Sequence, residues 1–161
     1  MTALKKSLTK VYAYNRQKDV SICLRSVKKL VICCLQYWGI TTDQVFIYFL
    51  EDEDLAHLHN EVFADPSLTD TITLPLDSPQ SQATPHILGE AFISPKAAQR
   101  FLKHRANDPE ALHEEISRYI IHSLLHMIGY DDQTPEERKK MRVKENQALC
   151  MLREKQALLI N

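Results

Sequence analysis

The sequence predicts an α+β fold in a single domain spanning residues 1–161: a small mixed sheet of four strands packed with about five helices. Three observations predict it. Strand-like and helix-like patterns follow one another as β-α-β-α-β-β and then three helices, an order that places helices over a small sheet. The 161 residues are 44% hydrophobic and 25% charged, enough for one sizeable core, short for two, and unlike a disordered or collagen-like chain. No apolar run reaches the roughly 18 residues of a membrane span, so the apolar residues belong to a core and no membrane partner is expected.

Val11–Asn15 reads as a short strand and Val20–Trp38 as a helix, with Ile22, Val27, Leu30, Val31, Cys34, Leu35 and Trp38 at helical spacing and Gly39 as the stop. Gln44–Leu50 is rich in β-branched and aromatic residues and reads as a buried strand. Asp52–Val62 follows as a helix whose acidic first turn suits the positive end of the dipole. Thr69–Leu76 alternates as a strand, but Pro75 confines it to an edge or ends it there. Ser78–Pro85 is a loop of turn-formers, and His86–Ile93 returns as a strand. Ser94-Pro95 is an N-cap followed by proline, opening a helix to about Arg105. Asp108-Pro109 repeats the signal for a long helix to about Ile128, and Thr134-Pro135 opens a last helix toward Leu159.

The net charge of -1 says nothing about partners, but its distribution is uneven. Residues 1–30 carry eight Lys/Arg against one acid, whereas residues 31–95 carry ten acids and no Lys or Arg. A basic front segment can lie along phosphate, although a solvated helix face is the commoner explanation. Cys23, Cys33, Cys34 and Cys150 lack metal-site spacing and read as reduced thiols. With no secretory apolar core after the lysines of Met1–Lys10, a cytoplasmic location is expected.

One stretch carries chemistry: His122-Ser123-Leu124-Leu125-His126-Met127-Ile128-Gly129-Tyr130-Asp131-Asp132. Four helical residues turn the chain through about 400°, so both imidazoles leave one face with about 6 Å of rise between them. Two nitrogens can then reach one ion at about 2.0–2.1 Å. Gly129 lets the chain turn back sharply, and Asp132 is placed to supply a third ligand from outside the helix. The expected metal site therefore lies at the end of a long helix, with His122, His126 and Asp132 as ligands and positions left open for reactants. Histidine pairs at this spacing also arise by chance, and Gly129 and Asp132 are what raise the signal above that background. The spacing is shared with extended zinc proteases, yet Ser123 occupies the position of their general-base Glu, so peptide hydrolysis is disfavoured. His57, His59, His86, His104 and His113 have no ligand spacing and read as surface or core residues. Asp131 reads as a turn-former or a partner that orients a ligand.

These residues resemble the YbeY family of bacterial metal-dependent endoribonucleases, whose signature is His-Gly-x-Leu-His-Leu-x-Gly-Tyr-Asp-His. The chain matches at His122, Leu125, His126, Gly129, Tyr130 and Asp131. Leu88-Gly89-Glu90-Ala91-Phe92-Ile93-Ser94-Pro95 resembles the family's Leu-Gly-Asp-Ile-x-Ile-Ser-Pro, and Asn60, Phe63, Thr69-Asp70 and Pro75 resemble its Asn-x-x-Tyr-Arg and Thr-Asp-Val-Leu-Ser-Phe-Pro segments. The likeness covers about residues 10 to 155.

The resemblance implies a single-strand-specific endoribonuclease acting in 16S ribosomal RNA maturation and ribosome quality control, with one zinc ion per chain. Ribosomal RNA, the ribosome and ribosomal proteins are the implied partners. It also implies that Thr69, Asp70 and Thr73 line the substrate groove. No general base is identifiable.

Three departures bear on this. Asp132 stands where the family has its third histidine, which makes the ion a weaker Lewis acid and tilts the site toward manganese or ferrous iron beside zinc. Ala64 stands where the family has an arginine able to clamp phosphate. Lys96, Arg100 and Lys103 lie near one helix face as possible substitutes, against the ordinary reading of surface charge. Ser123 replaces a glycine beside the first histidine. Ala64 and Asp132 together motivate the alternative of a ribosome-associated metal-binding protein with weak or lost nuclease activity.

Overall fold

A computed structural model describes residues 8–160; Lys5 and Lys6 of the basic front segment lie outside the described residues. Four strands form one mixed sheet: β1 (Lys10–Arg16), β2 (Gln44–Leu50), β3 (Thr71–Pro75) and β4 (Ile87–Ile93). Five helices accompany them: α1 (Leu24–Tyr37), α2 (Asp52–Phe63), α3 (Pro95–Leu102), α4 (Pro109–Met127) and α5 (Pro135–Glu154), with a 3-10 turn over Lys103–Asn107. The spatial order is β1-β2-β4-β3, with β1, β2 and β4 parallel and β3 antiparallel on the edge. Pro75 is the last residue of that edge strand, where a missing N–H is tolerated.

Strand alternation explains the layering. Val45, Ile47 and Phe49 of β2 and Leu88, Ala91 and Ile93 of β4 are buried on the face covered by α1 and α4, and α5 packs outside α4. The expectation of a buried β2 holds for one of its two faces. Phe46 and Tyr48 point to the other face, where Tyr12 stacks on Phe46 and Tyr48 lies between Tyr14 and Phe92. Neighbouring rings shield one another there, and the strand is half-buried on that side.

Two helix boundaries also differ from the sequence pattern. The Gln17 side chain accepts from Val20 N (2.9 Å) and donates to Val20 O (2.7 Å), holding that segment out of α1, which begins at Leu24. α5 ends at Glu154 because Gln156 adopts a left-handed φ of 51° and Ala157 N bonds back to Leu152 O at 2.8 Å. Thr69 and Asp70 precede β3 rather than belonging to it. Among the described residues, no helix is long and apolar enough to cross a membrane.

Candidate metal centre

α4 carries both histidines, and its start is fixed by Asp108, whose carboxylate accepts from Glu110 N at 3.0 Å, with Pro109 at the first helical position. Its apolar residues Ile116, Ile120, Ile121, Leu124 and Leu125 are buried, which leaves His122 and His126 half-buried on the flank facing β3 and α5. Gly129 follows at φ +111°, a region L side chains avoid, and the chain doubles back so that Asp132 meets the histidines. Asp131 Oδ1 accepts from Asp132 N at 2.8 Å, fixing the turn. α5 is then opened by a capping box between Thr134 and Glu137.

The three predicted ligands converge. His122 Nε2 and His126 Nε2 are 3.1 Å apart, and Asp132 Oδ2 is 3.3 Å from each. In a tetrahedral site, ligand bonds of about 2.0–2.1 Å require donor separations of about 3.3–3.4 Å. The triangle is therefore of the size that one small cation fills, and these three side chains form a group able to hold a metal ion. Asp131 is not part of this donor group.

The partner that the sequence reading missed is Glu145, on α5. Its Oε2 lies 2.8 Å from His122 Nδ1, so Nδ1–H donates to the carboxylate and the Nε2 lone pair faces the centre. Arg118 Nη1 donates to Glu145 Oε1 at 3.1 Å, and Arg142 Nη1 stands 3.6 Å from the same oxygen. Burial by itself favours a neutral His122, but the hydrogen bond and charge of Glu145, with Asp132 and Asp70, outweigh it and raise the imidazole pKa. Burial likewise favours a protonated Glu145; His122 and Arg118 outweigh it and hold that carboxyl below its ordinary value. A signal did exist in the sequence, because Glu145 interrupts the buried stripe Met141, Ala148, Leu149, Leu152 at helical spacing.

Two cavities share His122, Asp132, Asp70 and Thr71. The first, of about 600 Å³, runs between β3 and the Gly129 turn and is lined by Thr69, Asp70, Thr73, His59, Phe63 and Tyr130 among others. The second, of about 300 Å³, opens toward α5 past Arg118, Arg138, Arg142, Glu115 and Glu145. Ala64 caps α2 in the left-handed region and lines neither cavity. Nor do Lys96, Arg100 and Lys103 line them; Arg100 is paired with Asp52 and Lys96 lies 3.9 Å from Asp19.

Ser123 is wholly buried, and its hydroxyl has no hydrogen-bond partner among the described residues, so it faces away from the centre. The remaining histidines stay outside the donor group. His86 is buried between Thr42 Oγ1 (2.7 Å) and Ser78 O (2.8 Å), His113 is buried against Pro109 O and Ser21 O, and His57 and His104 are exposed. His59 alone among them lines the larger cavity.

Known proteins carry the same chain pattern. The family model described as Endoribonuclease YbeY matches residues 12–153. The chain belongs to the YbeY endoribonuclease family. Proteins named Endoribonuclease YbeY are 73% identical in Chlamydia felis, over 97% of this chain and 99% of the relative, and 61% identical in Chlamydia pneumoniae, over 93% and 95%. The solution structure of TM1509 from Thermotoga maritima aligns over 92% of this chain and 93% of its own, with a TM-score of 0.62 at 16% identity, which supports the fold alone. Membership in the YbeY family places the chain among nuclease hydrolases, and the clustered histidines and aspartate give that class a centre able to hold a metal.

Proposed function

We propose that the chain is a metal-dependent endoribonuclease that cuts single-stranded RNA, acting on 16S ribosomal RNA in the cytoplasm during ribosome maturation and quality control. The observation that carries the metal dependence is the triangle of His122 Nε2, His126 Nε2 and Asp132 Oδ2, with edges of 3.1–3.3 Å. Zinc is the proposed ion, since two imidazoles and a carboxylate suit it; the same set admits manganese or ferrous iron. Bound there, the ion would supply Lewis-acid chemistry, polarising water or a phosphoryl oxygen.

The chain's own residues prepare the centre. Glu145 accepts a hydrogen bond from Nδ1–H of His122 and fixes its tautomer, and Arg118 in turn holds Glu145. The Gly129 turn and Asp131 hold Asp132 against the histidines. Thr69, Asp70 and Thr73 are proposed to contact the RNA strand, because they line the cavity that also contains both histidines.

The test uses a structured ribosomal RNA fragment, with and without a chelator. Cleavage abolished by chelation and restored by zinc is the expected result. Ribosome binding without metal-dependent cleavage would favour the binding-protein alternative, which Asp132 and Ala64 motivate. Metal content separates the two aspartates. Asp132→Ala is expected to lose most of the ion and Asp131→Ala less, because Asp131 acts only through the Asp132 amide.

A further inference from the structure

The centre sits between two walls of different charge. Every residue of β2, α2, β3 and β4, together with their connecting loops, falls within residues 31–95, which hold no Lys or Arg. The larger cavity, which takes about half of its lining from this side and the rest from α4 and the Gly129 loop, has three carboxylates, Asp70, Asp131 and Asp132, and no Lys or Arg. The opposite wall is α4 and α5. Residues 138–144 carry five cations in seven positions, Arg138, Lys139, Lys140, Arg142 and Lys144. Helical spacing sends Arg138 and Arg142 to the face that also carries Met141 and Glu145, and all four line the smaller cavity with His122 and Asp132.

The carboxylates of that cavity are largely committed. Asp132 faces both histidines, and Glu145 is held by His122 and Arg118. Asp70 and Glu115 remain, against the exposed guanidinium groups of Arg138 and Arg142. Arg138 uses Nη1 on the carbonyls of Gln133 (3.0 Å) and Asp132 (3.3 Å), which fixes its guanidinium beside the ligand loop and leaves its other N–H donors to face the cavity. The Arg142 side chain is 60% exposed; among the described residues its ion-pair contact is Glu145, at 3.6 Å, and its charge also reaches Glu115.

We propose that Arg138 and Arg142 form a phosphate subsite for the RNA backbone. The strand would pass the centre with its phosphates toward α5 and its bases toward β3 and α2. A planar guanidinium offers paired donors to phosphate oxygens, and two of them one helical turn apart suit an extended single strand. The subsite rests on the endoribonuclease reading above and adds the direction from which the substrate's charge is met.

Arg142 gives the cleaner test, since Arg138 also braces the loop of Asp132. Zinc-loaded wild type, Arg142→Ala and Lys139→Ala are compared on a single-stranded RNA oligonucleotide; Lys139 shares the helix and the charge but does not line the cavity. Arg142→Ala is expected to raise KM about tenfold with kcat within about twofold, as loss of one charged contact predicts. The slope of log binding constant against log salt is expected to fall by about 0.7, the value for one phosphate contact on a single strand. Lys139→Ala should leave both near wild type, and all three proteins should bind equal zinc. Arg142→Ala behaving like Lys139→Ala, while wild type still cleaves, overturns the subsite alone. A wild type that neither binds nor cleaves the RNA overturns the endoribonuclease reading and the subsite with it.

Discussion

Glu145 turns an isolated histidine pair into an ordered centre, and it also sets how that centre answers to pH. In the metal-free protein His122 is raised above the ordinary histidine value of about 6.5, while Glu145 is lowered below the ordinary value of about 4.3. A raised histidine contributes stability that is complete below its unfolded value and lost as pH rises through the folded one. A lowered carboxyl contributes stability that is complete above its unfolded value and lost as pH falls through the folded one. Both contributions are therefore present between about pH 4.3 and 6.5. Glu145→Gln is expected to cost about 1.5–3 kcal/mol in that window, the range for a hydrogen bond to a charged group, and less on either side. Urea unfolding of the metal-free proteins across pH 3 to 9 reads this directly, and a difference independent of pH would show that the pair is not ionised in the fold. Because the ion must displace the His122 proton, metal affinity is expected to climb as pH rises through the same elevated value. The two histidines were legible from their spacing taken together with Gly129 and Asp132, which lift the pair above chance. Glu145 was not, because it lies 23 positions further on in a separate helix, and the trace it left is a charge within an apolar stripe.

At the scale of elements, local chemistry marked the starts well. Ser94, Asp108 and Thr134, each followed by proline, cap α3, α4 and α5 through their own side chains. The ends were harder to read where tertiary contacts decided them, as at the Gln17 clamp before α1 and the left-handed Gln156 after α5. The strand order was not legible, because the β3–β4 hairpin could dock on β2 by either strand, and it is β4 that pairs with it. One close approach within this arrangement governs the groove. A Cβ on Gly89 of β4 would stand 2.9 Å from Leu74 O on β3 and 2.9 Å from Met127 Cγ at the end of α4. Both the backbone of the β3–β4 rung and the Met127 side chain on the last turn of α4 must yield, next to Thr73 and His126 on opposite sides of the larger cavity. Gly89→Ala is expected to cost about 1–3 kcal/mol, the range for an overpacked contact. It should also weaken zinc binding, since the donor triangle tolerates little displacement. Urea unfolding and a zinc titration on one preparation check both, and unchanged values in each would mean the helix end is free to move without moving His126.

For the molecule as a whole, the fold class could be read from the order of patterns, whereas the closure of the chain on itself could not. The residues after α5 look like a continuing helix by composition, yet they leave it and dock between the start of α1 and the middle of α4. Leu159 N donates to Ser117 Oγ at 3.1 Å, Ile160 N to Ser26 Oγ at 3.2 Å, and Cys23 N to Ile160 O at 2.9 Å. Ala157 and Leu159 are buried, while Ile160 turns outward. This clasp ties the last described residues to the N-cap and first turn of α1, so the two departures from helical periodicity end at one contact. It also supports Ser117, whose hydroxyl donates to His113 O at 2.7 Å on the same helix that carries the centre. Leu159→Ala is therefore expected to cost about 2–5 kcal/mol, as for other fully buried leucines. Ile160→Ala should stay within about 0.5 kcal/mol, since its side chain is exposed and its clasp bonds are made by the backbone. Denaturant midpoints of the two variants separate a docked tail from a loosely covering one: equal, small losses would mean that the core is closed without it.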